Sequence, residues 1–132
     1  MADILVIEDD ESVRCLVRRI LERSGHCVRE AENGAVGLKQ YRAARADLVM
    51  LDMYMPEMDG LETLRELRLL DPVARVVAMS GGGSRNDVQV LRPATLMGAT
   101  RALLKPFTLQ ELQGVVDEAL RDGQPPPAHT QP

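Results

Sequence analysis

Leu48, Val49, Met50 and Leu51 follow one another with no polar residue between them, and the run stops at a single acid, Asp52, before the turn-rich segment MYMPEMDG. A strand with one wet side alternates apolar and polar residues. Four apolar residues in succession therefore predict a strand buried on both faces, as in a parallel sheet with helices on each side. Asp52 then stands at the carboxyl end of its strand, the edge at which open α/β sheets bind ligands. An acid in that place is either a site residue or one that merely ends a strand and enters a turn. The stretch by itself leaves both readings open.

The rest of the chain supplies the partners that such a strand needs. Residues 4–7 form a second aliphatic run, which ends abruptly at Glu8-Asp9-Asp10-Glu11. Val13, Leu16, Val17, Ile20 and Leu21 recur at the spacing of one helical face, stopped by Ser24-Gly25. Residues 26–31 are a more polar strand, suited to a sheet edge, and Asn33-Gly34 turns the chain. Ala35, Leu38 and Tyr41 mark a weaker helix that fades into the alanines of 43–46. Asp59, with Glu62 three residues on, is placed to cap a third helix, whose inner stripe is Leu61, Leu64 and Leu67 and which Asp71-Pro72 closes.

Residues 75–80 are expected as a fourth strand, followed by Gly81-Gly82-Gly83, a loop of high conformational freedom. The pattern over 84–97 predicts a helix ending at Gly98, although Pro93 would remove one of its backbone bonds. Residues 99–104 are a fifth strand ended by Lys105-Pro106. Thr108 with Glu111 then forms a capping box for a last helix with Leu109, Leu112, Val116 and Leu120 inward. Strict alternation of strand and helix predicts a flavodoxin-like (βα)5 doubly wound parallel sheet with right-handed crossovers and strand order 2-1-3-4-5. Strands one and three are neighbours in that order, so Glu8 and Asp9 face Asp52 across one crevice.

The composition, 132 residues with 45% hydrophobic and 27% charged, is that of one domain, expected over residues 1–121. The proline-containing residues 122–132 are expected as a disordered tail or truncated linker. A net charge of −4 with no cluster of Lys or Arg argues against binding nucleic acid or an anionic membrane. Lysine occurs only at Lys39 and Lys105; the other fourteen of the 16 basic residues are Arg. The first apolar run is too short for a signal peptide or membrane span, which predicts a cytoplasmic protein. In that reducing compartment Cys15 and Cys27 are expected as small core residues, and His26 beside Cys27 lacks the second ligand pair of a metal site.

Three carboxylates gathered in one crevice repel by about 4 kcal/mol for each pair of charges 4 Å apart at an effective dielectric of 20. A divalent cation offsets that repulsion, and hard oxygen ligands suit Mg2+; the alternative is three separately solvated loop acids. Four segments in order, IEDDE, LDMYMPEMDG, VVAMSGG and LLKPF, together resemble the response-regulator receiver domain over residues 3 to about 121. The resemblance implies that Asp52 is the phosphoacceptor, that Glu8, Asp9 and Asp52 hold Mg2+ with the backbone carbonyl of Tyr54, and that Ser80 and Lys105 contact the phosphoryl group. It also implies a cis peptide before Pro106. The donor would be a sensor histidine kinase or a histidine phosphotransfer protein. The downstream partner would be a protein meeting the 84–121 face, with the chain a monomer or weak dimer and a signalling domain rather than an enzyme.

One departure stands out: the family's aromatic residue three positions before the lysine is Ala102 here, and Pro93 alters the neighbouring helix. The Tyr54 ring is a candidate shield for an aspartyl phosphate, and Met53, Met55 and Met58 are adaptable packing beside it. Three other functions share parts of this pattern. An aspartate-nucleophile phosphohydrolase needs a second Asp where Tyr54 stands. A flavin-binding domain would meet acids where a phosphate loop belongs. A receiver-like docking module would never be phosphorylated.

Overall fold

The structure is a computed structural model that describes residues 1–55, 60–80 and 98–122. In chain order these form β1 (Asp3–Ile7), α1 (Glu11–Arg23), β2 (Cys27–Ala31), α2 (Gly34–Ala43), β3 (Leu48–Asp52), α3 (Gly60–Leu70), β4 (Val76–Ser80), β5 (Arg101–Leu104) and α4 (Leu109–Asp122). All strand pairings are parallel, in the order β2-β1-β3-β4-β5. The expected doubly wound sheet is therefore present. Ile7 pairs with Leu51, Asp52 with Met79 and Ser80 with Leu104, so the carboxyl ends of the four strands finish nearly flush.

The absence of polar alternation in the central strands has a direct cause. Leu5, Ile7, Val49, Leu51, Val76 and Ala78 pack on one face with Leu38 and Tyr41 of α2 and Leu64 and Leu67 of α3. The residues between them, Ile4, Val6, Leu48, Met50, Val77 and Met79, pack on the other face with Val17, Ile20 and Leu21 of α1 and Leu112 and Val116 of α4. Every residue of β3 and of β4 is buried. At about 25 cal/mol per Å2 of apolar surface, such doubly covered strands supply much of the drive to fold.

Side-chain caps set the helix starts. The Asp10 carboxylate accepts the Ser12 and Val13 N–H groups, which makes the third acid of the EDDE run a cap for α1. Asn33 caps α2 through the Val36 N–H at 2.8 Å. Thr108 and Glu111 form the expected reciprocal box: the Thr108 N–H donates to Glu111 Oε1 at 2.8 Å, and the Glu111 N–H donates to Thr108 Oγ1 at 3.0 Å.

Several expectations are corrected. Leu16 is 54% exposed, because it lies about 100° around α1 from Val17, which occupies the inner face. Leu109, the first residue of α4, is 51% exposed and precedes the turn that reaches the core, while Leu120 packs only partly against it. Cys15 and Cys27 are both exposed rather than core residues, one on the outer face of α1 and one at the start of an edge strand. β2, β4 and β5 begin one or two residues later than the pattern suggests, and α4 includes Asp122, where the sequence places the start of the tail. The expected Asp59 cap, Met58, the Gly81–Gly83 loop, the 84–97 helix with Pro93 and residues 123–132 lie outside the described residues. Among the described residues no helix is long and apolar enough to cross a membrane.

Candidate functional site

The carboxyl ends of β1, β3, β4 and β5 bring together Glu8, Asp9, Asp52, Ser80 and the residue that follows β5, Lys105. Glu8 and Asp52 are 1% and 2% exposed and Ser80 is fully buried, whereas Asp9 faces solvent. Carboxylate oxygens of Glu8, Asp9 and Asp52 all lie within 4.8 Å of one another. Lys105 Nζ donates to Glu8 Oε1 at 2.6 Å and stands 3.7 Å from Asp52 Oδ1. The sequence-derived acids and lysine thus meet in one place, and the Lys105–Pro106 peptide bond is cis.

Backbone bonds hold these groups. The Lys105 N–H donates to the Ser80 carbonyl at 2.7 Å, which joins the ends of β4 and β5. The Met53 N–H donates to the Met79 carbonyl at 2.8 Å, which carries the β3–β4 ladder one residue past Asp52. The Tyr54 N–H donates to Asp52 Oδ1 at 3.2 Å, and the Tyr54 side chain is about half exposed. Gly60 closes the loop from below, its N–H reaching the Met53 carbonyl at 3.3 Å.

Electrostatics follow from this crowding. Burial, then the charge of Glu8 and a hydrogen bond with it, push the Asp52 carboxyl up to about 8, against the opposing influence of Lys105 and the Tyr54 N–H. Burial is also the largest influence on Lys105 and disfavours its charge. The Glu8 hydrogen bond and the charges of Asp52, Glu8 and Asp9 outweigh it and hold the ammonium above its ordinary value. The Lys105 ammonium lies between the two buried carboxyl groups, hydrogen-bonded to Glu8 and 3.7 Å from Asp52, while burial favours the neutral form of Asp52. The three acids form an all-oxygen donor set with one member open to water, the kind that a hard divalent cation takes.

Sequence reasoning missed one participant. Arg14 of α1 donates through Nη1 to the Glu8 carbonyl at 2.8 Å and through Nε to Glu30 Oε1 on β2 at 2.9 Å. Nothing in the pattern of α1 separates it from the chain's other arginines.

A family model described as the response regulator receiver domain matches residues 4–117. The chain is 34% identical over 118 residues to the chemotaxis protein CheY of Bacillus subtilis, covering 89% of this chain and 96% of that protein. It is 34% identical over 127 residues to the DNA-binding transcriptional regulator NtrC of Azospirillum brasilense, covering 96% of this chain but only 26% of that longer protein. Among solved structures, the receiver domain of NtrX from Brucella abortus superposes with a TM-score of 0.85 at 33% identity, over 90% of this chain and 98% of that one.

Proposed function

The chain belongs to the response regulator receiver domain family of two-component signalling, and from that premise we propose that Asp52 takes a phosphoryl group from a phosphohistidine donor with Mg2+ as cofactor. The observation that carries this reading is the meeting of three carboxylates within 4.8 Å with Lys105 Nζ 3.7 Å from Asp52. The hard-oxygen donor set fits Mg2+, which Glu8, Asp9, Asp52 and the Tyr54 backbone carbonyl would hold. When bound, the cation neutralises charge on the carboxylate and on the incoming phosphoryl oxygens.

The residues then have distinct tasks. Asp52 is the nucleophile: one carboxylate oxygen bonds to phosphorus as the bond to the donor imidazole breaks, and the electron pair of that bond leaves with the imidazole. Glu8 anchors Lys105 before transfer, and Lys105 is within reach of the phosphoryl oxygens once Asp52 is modified. The Ser80 hydroxyl, at the end of the neighbouring strand, donates to the phosphoryl group. The Tyr54 ring shields the aspartyl phosphate from water. In this reading residues 1–121 are the receiver unit of a cytoplasmic protein. It assists only its own phosphorylation and dephosphorylation. The donor is a sensor histidine kinase or histidine phosphotransfer protein, the chain is a monomer or weak dimer with no nucleic-acid contact of its own, and a downstream protein engages the 84–121 face.

Intact-mass measurement after incubation with Mg2+ and phosphoramidate tests the proposal. The expected result is one added phosphoryl group on the wild type, and none on Asp52→Asn or in the presence of a chelator. Turnover of the donor without retained phosphate would instead indicate a phosphohydrolase. No reaction would indicate a docking module.

A further inference from the structure

Glu8 is fixed at four points. Its N–H donates to the Ala31 carbonyl of β2 at 3.0 Å, Oε1 accepts from Lys105, Oε2 accepts the Asp10 N–H at 3.2 Å, and its carbonyl accepts from Arg14 Nη1 at 2.8 Å. The first three come from the sheet, the site or the adjoining turn. The fourth reaches in from α1. That carbonyl belongs to the planar peptide joining Glu8 to Asp9, so its direction sets how the chain leaves Glu8 and where the Asp9 carboxylate is delivered. Asp9 needs such guidance, because it is exposed and among the described residues no hydrogen bond holds its carboxylate.

Arg14 is itself braced. Its Nε donates to Glu30 Oε1, with the Arg14 side chain 16% and the Glu30 side chain 27% exposed, and the second Glu30 oxygen takes Arg18 Nη1. Hydrogen bonding by Arg18, aided by Arg14, holds the Glu30 carboxyl below its ordinary range, so the brace stays charged at neutral pH. The guanidinium therefore ties the Glu8–Asp9 peptide to the edge strand β2 through a rigid fork.

We propose that Arg14 is a positioning residue for the cation site: by fixing the plane of the Glu8–Asp9 peptide against β2, it sets the spacing of the two acids that hold the metal. The inference rests on the metal reading of this site. It goes beyond that reading in giving a task to a residue that touches neither the metal-holding carboxylates nor the nucleophile. Its sign is unusual. Arg14 is a cation next to an acidic cluster, so on Coulombic grounds alone its removal strengthens cation binding. Positioning requires the opposite.

The test is calorimetric titration of the full chain with MgCl2, with urea unfolding in chelator run in parallel to confirm that each variant is folded. Arg14→Met is expected to weaken Mg2+ binding about tenfold, the ordinary cost of losing a group that orients a ligand. Arg14→Lys is expected to lose about threefold, because an ammonium reaches one of the two partners but cannot fork to both. Arg18→Met, which shares Glu30 but does not touch the Glu8 carbonyl, is expected to stay within about twofold of the wild type by the same reasoning. Binding by Arg14→Met equal to or tighter than wild type overturns the proposal. If that variant does not fold, wild-type affinity in Arg14→Lys overturns it by the same criterion. Failure of the underlying metal reading shows differently: the wild type itself would take up no Mg2+, or Asp9→Asn would retain full affinity.

Discussion

Replacing Gly60 by alanine should disturb the chain just past Asp52, the proposed phosphoacceptor. Gly60 opens α3, and a Cβ built there would stand 2.2 Å from Met53 Cα and 2.8 Å from the Asp52 carbonyl oxygen. Non-bonded carbons settle about 3.5–4.0 Å apart, so α3 and the chain just past Asp52 must separate by more than about 1 Å. Both obstacles are backbone and neither can rotate away. Overpacking costs about 1–3 kcal/mol where side chains give; with only backbone to move, Gly60→Ala is placed at about 3 kcal/mol. For a chain of this length that lowers the melting temperature by about 10 °C. Two other glycines calibrate the result. A Cβ at Gly37 would meet Ile7 Cδ1 at 2.3 Å and Cγ1 at 2.7 Å, side-chain atoms that can shift by repacking where backbone cannot, so Gly37→Ala should cost about 1–2 kcal/mol. Gly114, within α4, has nothing within 4 Å, and Gly114→Ala should stabilise by about 0.5–1 kcal/mol through helix propensity. Thermal unfolding followed by circular dichroism orders the three, and the rate of Asp52 phosphorylation should fall for Gly60→Ala alone. A Gly60→Ala protein as stable as the Gly37→Ala protein would refute the close-approach argument.

Further outcomes follow from other contacts. The folded Asp52 carboxyl titrates near 8, against 3.8 for an ordinary Asp, so in chelator the wild type has its full contribution below about pH 4 and loses it as pH rises through 8; Asp52→Asn should gain in relative stability over that window by urea unfolding, and a constant difference would contradict it. The buried Tyr41 hydroxyl donates to Asp71 Oδ2 at 2.6 Å, and Tyr41→Phe should cost about 2 kcal/mol in urea, a loss below about 0.5 being incompatible with that bond. Thr108→Ala removes one half of the α4 capping box and should cost about 1 kcal/mol, measured in the same way. Tyr54→Ala should shorten the life of the aspartyl phosphate followed by mass spectrometry, and unchanged decay would exclude shielding by the ring.

The parts of this molecule that were legible in the sequence are those in which one residue's surroundings are fixed by its own element. β3 has to be unbroken and apolar because helices cover both of its faces, and the acids at its end and at the end of β1 converge because adjacent parallel strands finish together. The Thr108–Glu111 box needs only a spacing of three. The residues misread or missed depend on elements far apart in the chain. Leu16 belongs to an apolar spacing wider than the stripe α1 buries. Asp71, expected only as a helix stop before Pro72, is buried and takes the Tyr41 hydroxyl from α2, with Arg45 3.6 Å away. Arg14 draws its role from Glu8, six residues back, and Glu30, sixteen residues on, and no helical period links those positions.

Ala102 is the departure on the side where the proposed reading puts the downstream partner. It is exposed on β5 and has no side-chain torsion to turn, so the rotating aromatic that the resemblance implies at this position cannot be carried over. β5 meets the site through the Lys105 N–H on the Ser80 carbonyl and the pairing of Ser80 with Leu104, and through the Lys105 side chain that follows it.

The charge arrangement bears on how the proposed site would respond to a cation. Burial and then the neighbouring Glu8 disfavour the Asp52 carboxylate, Lys105 only partly offsets them, and the Asp52 carboxyl is pushed up to about 8. A protonated carboxyl is a poor nucleophile. Moving Lys105 away would worsen the imbalance, and moving Glu8 away would, in the proposed reading, remove a cation ligand. The economical remedy is a positive charge delivered from the open side, where Asp9 is exposed and Arg14 holds the peptide that carries it. By linkage, any cation that binds the ionised form better must release the Asp52 proton as it binds. In the proposed reading, the burial that raises Asp52 therefore makes its nucleophilicity conditional on the metal, and the precision of the Glu8–Asp9 turn decides how readily that condition is met.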